Sequence, residues 1–169
     1  MENDILITYA SRYGSTAEIA LKITEVIAGE GLNADISEVN EVHNLQQYGA
    51  VVLGSAVYLG KWRKDAIRFV KMFEKDLSER KVWIFSTGPT GKGDPVKLLE
   101  GWDMPTSLKP AVERIKPEDI AVFHGVLDMD KLNNIHRYMV KKIKAPVGDY
   151  RDWEQVSQWA KKIASRLKE

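Results

Sequence analysis

Residues 5–16 read Ile5-Leu6-Ile7-Thr8-Tyr9-Ala10-Ser11-Arg12-Tyr13-Gly14-Ser15-Thr16: an apolar run, a turn rich in hydroxyls, and the opening of an amphipathic pattern. An unbroken apolar run is what a strand covered on both faces shows. The pattern that follows sets Ile19, Ile23, Val26 and Ile27 on one face of a helix, which ends near Gly29-Glu30-Gly31. The turn between them offers the hydroxyls of Ser11, Ser15 and Thr16. A helix N-terminus adds free N–H groups and a partial positive charge, which favour an anion. Gly14 lets the chain approach a bound group closely. The stretch reads as a phosphate cradle, or as an ordinary strand-to-helix turn with a good N-cap.

Outward from this junction, strands and helices alternate. Ala34 to Val39 suits a short strand near an edge, and Ala50 to Gly54 a buried one. The latter enters a loop, Ser55 to Trp62, that carries Tyr58 and Trp62. One helix is expected with Ile67, Val70, Phe73 and Leu77 on its stripe, then a strand from Lys81 to Phe85. Glycines and prolines exclude helix and strand from Ser86 to Pro95. A helix near Thr106 to Ile115 and a last strand from Ile120 to Leu127 follow. Asp128 to Tyr150 is an extra segment, with an apolar stripe of Leu132, Ile135, Met139 and Ile143 among Lys131, Arg137, Lys141, Lys142 and Lys144. The final helix starts at Asp152 as N-cap and is expected to bury Trp153, Val156, Ala160, Ile163 and Leu167.

This alternation predicts an α/β fold, a doubly wound parallel sheet of five strands in the order 2-1-3-4-5, as one domain over residues 1–169. Ligands of such sheets bind beyond the carboxyl ends of the strands, where the strand order reverses. The loops after strands 1, 3 and 4 converge there.

Composition narrows the chemistry. There is no cysteine, which removes disulfides and thiol chemistry and fits a cytoplasmic setting. The net charge of +1 provides no global field for nucleic acid. His43, His124 and His136 lack metal-ligand spacing, so no metal is expected. His124 suits a core or strand-end position and His136 a solvated one. No signal-peptide progression is evident, and no apolar run nears the roughly 20 residues of a membrane span.

The three loops together suggest one ligand. The first suits a phosphate. The second brings flat faces, Tyr58 and Trp62, for stacking. The third, Ser86 to Gly91, brings backbone N–H groups for the polar edge of a heterocycle. A phosphate joined to a flat, polar-edged ring describes flavin mononucleotide (FMN), whose chemistry a protein positions and tunes.

Ser11-x-x-Gly14-x-Thr16 resembles the phosphate loop of flavodoxins. The chain is similar, over nearly its whole length, to the menaquinone-dependent protoporphyrinogen oxidase branch of flavodoxin-like proteins. Ser11-Arg12, Gly54-Ser55 with Tyr58, the segment before the last helix, and Asp152-Trp153-Glu154-Gln155-Val156 with Ala160 and Ile163-Ala164 carry that likeness. The resemblance implies a flavodoxin-like fold and FMN as cofactor. It implies that Ser11, Arg12, Tyr13, Gly14, Ser15 and Thr16 wrap the phosphate. It implies that Ser55, Ala56, Val57 and Tyr58 lie along the flavin, with Ser86, Thr87, Gly88, Pro89, Thr90 and Gly91 on its other side. Two departures bear on the substrate: the second loop has Val57 where the branch tends to carry a basic residue, and the third is rich in glycine.

Two functions follow. One is an oxidoreductase that passes electrons from a reduced substrate to a quinone or other carrier. The other is a non-catalytic flavodoxin that docks to protein redox partners. The basic segment Lys131 to Lys144 reads as a solvated helix, a peripheral membrane contact, or a docking face for an acidic partner.

Overall fold

The computed structural model describes residues 4–99 and 101–169. Strand β1 (Ile5–Ala10) leads into helix α1 (Ser15–Gly29), strand β2 (Ala34–Glu38) and strand β3 (Ala50–Tyr58). β3 turns back as β4 (Lys61–Trp62), followed by α2 (Lys64–Met72), α3 (Glu74–Ser78) and β5 (Lys81–Thr87). Then come α4 (Pro95–Leu98), α5 (Lys109–Ile115), β6 (Asp119–Phe123), β7 (Val126–Leu127), α6 (Asn134–Ile143), β8 (Gly148–Asp149) and α7 (Trp153–Lys168). The main sheet runs β2-β1-β3-β5-β6, all parallel, so the doubly wound order 2-1-3-4-5 holds for its five long strands.

The period-2 alternation of each strand splits the core in two. Leu6, Ala10, Val51, Leu53, Val82 and Ile84 face α2, α3 and α5, where Phe69, Leu77 and Val112 meet them. Ile5, Ile7, Val52, Trp83 and Phe85 face α1 and α7, where Ile19, Ile23, Trp159 and Ile163 meet them. Gly54 is required by close packing: a Cβ there would sit 2.0 Å from Cζ of Phe85.

Five expectations need correction. Ser55 to Trp62 is not a loop but a hairpin, with Val57 opposite Trp62 and Tyr58 opposite Lys61. The single helix after it is two, because Phe73 leaves helical geometry (φ −106°, ψ 17°) while its ring packs 4.9 Å from that of Phe69. The last strand divides at His124-Gly125, and β7 pairs antiparallel with β8, not with the main sheet. Its bend follows from His124, whose ring nitrogens lie 3.2 Å from the Pro89 carbonyl and 2.6 Å from the Gly93 carbonyl. The apolar stripe of the extra segment is turned from its expected place: Leu132 and Val140 are buried, whereas Ile135 and Ile143 are exposed. Finally, Trp153 is exposed and the buried indole of α7 is Trp159, whose N–H donates to Asp119 at 2.8 Å. The N-cap expected at Asp152 is present, its carboxylate accepting from the Gln155 amide at 3.0 Å.

Candidate functional site

A cavity of about 1100 Å³ opens at the carboxyl ends of β1, β3 and β5. Its floor is the turn after β1. Gly14 takes a left-handed conformation (φ 89°, ψ −13°) that an L side chain adopts only with strain, and its amide donates to Ser11 Oγ at 3.1 Å. Glycine caps α1, so the N-cap residue supplies no side-chain acceptor to the first helical amides. Among the described residues the amides of Ser15, Thr16 and Ala17 have no acceptor; the first intrahelical bond runs from Glu18 N to Gly14 O at 3.1 Å. Ser15 Oγ is buried and also lacks a partner among the described residues. Thr16 is fully buried, and its hydroxyl pairs with that of Thr87 at 2.6 Å, tying this turn to the end of β5. Such a site suits an anion with several acceptor oxygens. Glu18, the one acid in the first turn of α1, is neutralised by an ion pair with Arg151. Arg151 also holds Asp149 at 2.8 Å, which keeps that carboxyl below its ordinary pKa. Arg12 is exposed at the mouth, its guanidinium carbon 5.5 Å from the Tyr13 ring centroid.

Ala56, Val57 and Tyr58 form the second wall from within β3. Burial, then the neighbouring Tyr13 phenol, pushes the Tyr58 hydroxyl above its usual pKa, with Arg12 pulling the other way. Thr87, Gly88, Pro89, Thr90 and Gly91 form the third. A Cβ on Gly88 would lie 2.8 Å from the Val57 carbonyl, so the two walls meet backbone to backbone. The Gly88 amide is spent on Phe123 O at 3.2 Å, whereas those of Thr90 and Gly91 have no acceptor among the described residues.

Not every expected site residue faces the cavity. Ser55 is buried beneath it, its hydroxyl donating to Ala56 O at 3.0 Å and accepting from Arg63 N at 3.1 Å. Ser86 is likewise buried and accepts from the Trp62 indole at 2.8 Å. Trp62 is thereby fixed and almost fully buried, although it still lines the cavity. Gly14 shapes the turn without lining the cavity.

The far side comes from residues the sequence did not single out for the site. Leu98 and Leu99 after β5, Val140 of α6, Pro146 and Arg151 all line the cavity. Each is brought there by long-range folding, and no local motif marks them. His136, expected in solvent, lies half-buried over the second wall. Its Nδ1 shares a 2.6 Å hydrogen bond with the Tyr13 hydroxyl, and its ring stacks on Tyr58 at 4.4 Å with a 34° tilt. Tyr58 also directs its hydroxyl at Met139 Sδ of the same helix, 3.9 Å away.

A family model described as a flavodoxin domain matches residues 6–154. A relative from Escherichia coli named protoporphyrinogen IX dehydrogenase [quinone] is 26% identical over 170 aligned positions, which cover 94% of this chain and 93% of its own. Among solved structures, a flavodoxin from the domain Archaea superposes with a TM-score of 0.63 at 11% identity, covering 98% of this chain and 99% of that one. Rubredoxin:oxygen oxidoreductase from Desulfovibrio gigas also gives 0.63, at 17% identity over 98% of this chain; the match spans 36% of that protein. At these identities the structural likeness speaks for the fold alone.

Proposed function

The chain belongs to the flavodoxin-domain family, and on that premise we propose that it binds FMN in the cavity and passes electrons from a reduced substrate to a quinone or another carrier. The observation that carries this is the orphaned, buried hydroxyl of Ser15 beside three unpaired helix amides. A buried hydroxyl without a partner costs about 1–3 kcal/mol, and a phosphate oxygen removes that cost. In this reading Ser11, Arg12, Tyr13, Ser15 and Thr16 surround the phosphate on the turn that Gly14 shapes. Ala56, Val57 and Tyr58 give the ring one wall, and Thr87 to Gly91 another. When bound, FMN supplies one- and two-electron redox chemistry. The chain's residues bind and orient it, and α6 shields it from water.

The name of the Escherichia coli relative supports protoporphyrinogen IX as the donor and a quinone as the acceptor. The cover that α6 lays over the cavity supports an enzyme over a bare carrier, which needs its ring edge open to a protein. The outer face of α6 supports peripheral contact with an anionic membrane, where lipid-soluble quinones reside. Ile135 and Tyr138 on that face are 71% and 66% exposed, with Lys141 and Lys142 exposed around them. Apolar side chains flanked by lysines suit the headgroup region. Among the described residues no helix is long and apolar enough to cross a membrane.

The experiment is to purify the chain, measure flavin absorbance and FMN released on heating, and assay protoporphyrinogen IX oxidation with menadione as acceptor. The expected result is a yellow protein that turns over. A colourless chain that takes up no added FMN overturns the proposal. FMN uptake without turnover, together with fast one-electron exchange to a ferredoxin, leaves the carrier. Flotation with anionic vesicles should show binding that weakens with salt; no binding at any salt removes the membrane contact.

A further inference from the structure

His136 lines the cavity and has no part in the reading above. The groups that face it are Arg12 and Tyr13 from the turn after β1 and Tyr58 from β3. Burial first, then the Arg12 cation, holds its pKa below the ordinary histidine value, so the ring is neutral in neutral solution. Tyr13 occupies Nδ1, and Nε2 has no partner among the described residues. The acids of the cavity are engaged elsewhere. Glu18 is paired with Arg151, Asp65 accepts from Asn40 at 3.0 Å, and Asp128 accepts from the Asp130 amide at 3.0 Å. His136 therefore offers a base that is both uncharged and unpaired on one nitrogen, beside a tyrosine ring assigned to the cofactor's wall.

We propose that His136 is a redox-linked proton site, which takes up a proton when electrons enter the cavity and returns it when they leave. This rests on the FMN reading. Oxidation of a reduced donor by two electrons releases two electrons and two protons. Were the bound cofactor to keep both electrons and one of the two protons, the cavity would gain one negative charge. The second proton goes to Nε2 of His136, and the imidazole becomes imidazolium. A negative charge nearby raises the proton affinity of an imidazole, and by linkage the proton favours the reduced state to the same degree. Reduction of a quinone to its hydroquinone takes up two electrons and two protons, and His136 is neutral again. Electrons and protons balance in both halves with donor and quinone as the only co-reactants. Tyr13 is a positioning residue: its hydroxyl oxygen accepts from Nδ1–H of the neutral ring, the tautomer that leaves the Nε2 lone pair to take the proton.

The test is the midpoint potential of the FMN-loaded chain as a function of pH, in the wild type, His136→Gln and Arg12→Gln. The wild type should bind one more proton per two electrons than His136→Gln, an extra slope of about 30 mV for each tenfold change in proton concentration. Arg12→Gln removes a cation facing the imidazole, so the steep interval should move to higher pH. The ring resonances of His136 in the wild type, followed by NMR, should report a proton affinity at least tenfold higher in the reduced protein than in the oxidised one. Equal slopes in wild type and His136→Gln, or a resonance that titrates identically in both redox states, overturns the proposal. Should His136→Gln fail to fold, the wild-type resonances decide alone. A chain that takes up no FMN overturns the functional reading and this inference together, whereas FMN uptake with unlinked titration overturns this inference only.

Discussion

The two ends of the cavity are built in opposite ways. The turn after β1 is six consecutive residues at a helix start, and among the described residues the amides of Ser15, Thr16 and Ala17 and the Ser15 hydroxyl have no partner there. The other end is assembled from β3, the segment after β5 and α6, and its aromatic side chains are already engaged, with Tyr13 of the turn reaching across to them, while the Thr90 and Gly91 amides have no acceptor among the described residues. Tyr13, Tyr58 and His136 bond and stack, and Trp62 is locked onto Ser86. One end waits for a ligand, while the other must rearrange its aromatic contacts or accept a ring beside them. Phosphate recognition and ring recognition should therefore respond differently to mutation and to pH.

The sharpest way to break the contrast is to damage the frame both ends share. Gly54→Ala places a methyl 2.0 Å from the Phe85 ring. Overpacking of that kind should cost about 3 kcal/mol, measured as a fall in the urea midpoint. An unchanged midpoint would mean that β3 and β5 can part without loss. Next is Ser15→Ala, which separates the two ends. It should weaken FMN binding about tenfold, the loss of roughly one charged hydrogen bond, while binding of riboflavin, which lacks the phosphate, stays the same. The free protein should be no less stable, since the hydroxyl removed is unpartnered when buried. Tyr58→Ala is the counterpart and should weaken both ligands equally; titration by flavin fluorescence reads all four values. Equal effects of Ser15→Ala on both ligands would place the phosphate elsewhere.

The smallest effect concerns pH. The folded pKa of His136 lies below its ordinary value, so the unfolded chain binds the proton more readily. The sign follows: the contribution of His136 to stability is complete above its ordinary value near 6.5 and declines as pH falls through that value toward the folded one. The protection factors of the α6 amides, with exchange corrected for its base-catalysed intrinsic rate, should therefore fall as pH drops from about 7.5 to 5.5, and His136→Gln should flatten that dependence. Exchange in α1, whose first turn carries no histidine, should not share it.

Much of the fold was legible because strand and helix periods are local. The apolar runs at 5–7 and 50–54 became central strands, and Asp152 became an N-cap as its spacing with Gln155 predicted. The glycine-capped turn after β1 was legible for the same reason: hydroxyls, a glycine and a helix start lie within six residues. The hairpin at Tyr58 to Trp62 was not, because glycine at position 60 and two flanking aromatics suit a loop equally well until β4 finds its partner. Nor was the rotation of α6. Its apolar residues outnumber what one face can bury, and only the tyrosines across the cleft select Leu132, His136 and Val140 as the inner side.

Short-range pattern in the chain thus determined the layered α/β architecture and the hydroxyl-rich, glycine-capped turn after β1, since backbone hydrogen bonding and the burial of alternating apolar side chains act over a few residues. Tertiary structure decided which hydroxyls stay free and which are consumed: Ser15 is left unpartnered, while Ser55 and Ser86 bond to groups brought from elsewhere in the chain. It also decided that an imidazole more than 120 residues from the phosphate turn, with |i−j| of 123 to Tyr13, lies against the tyrosines. A side chain's partner across a cleft depends on how whole elements dock, and no stretch of sequence contains that information by itself.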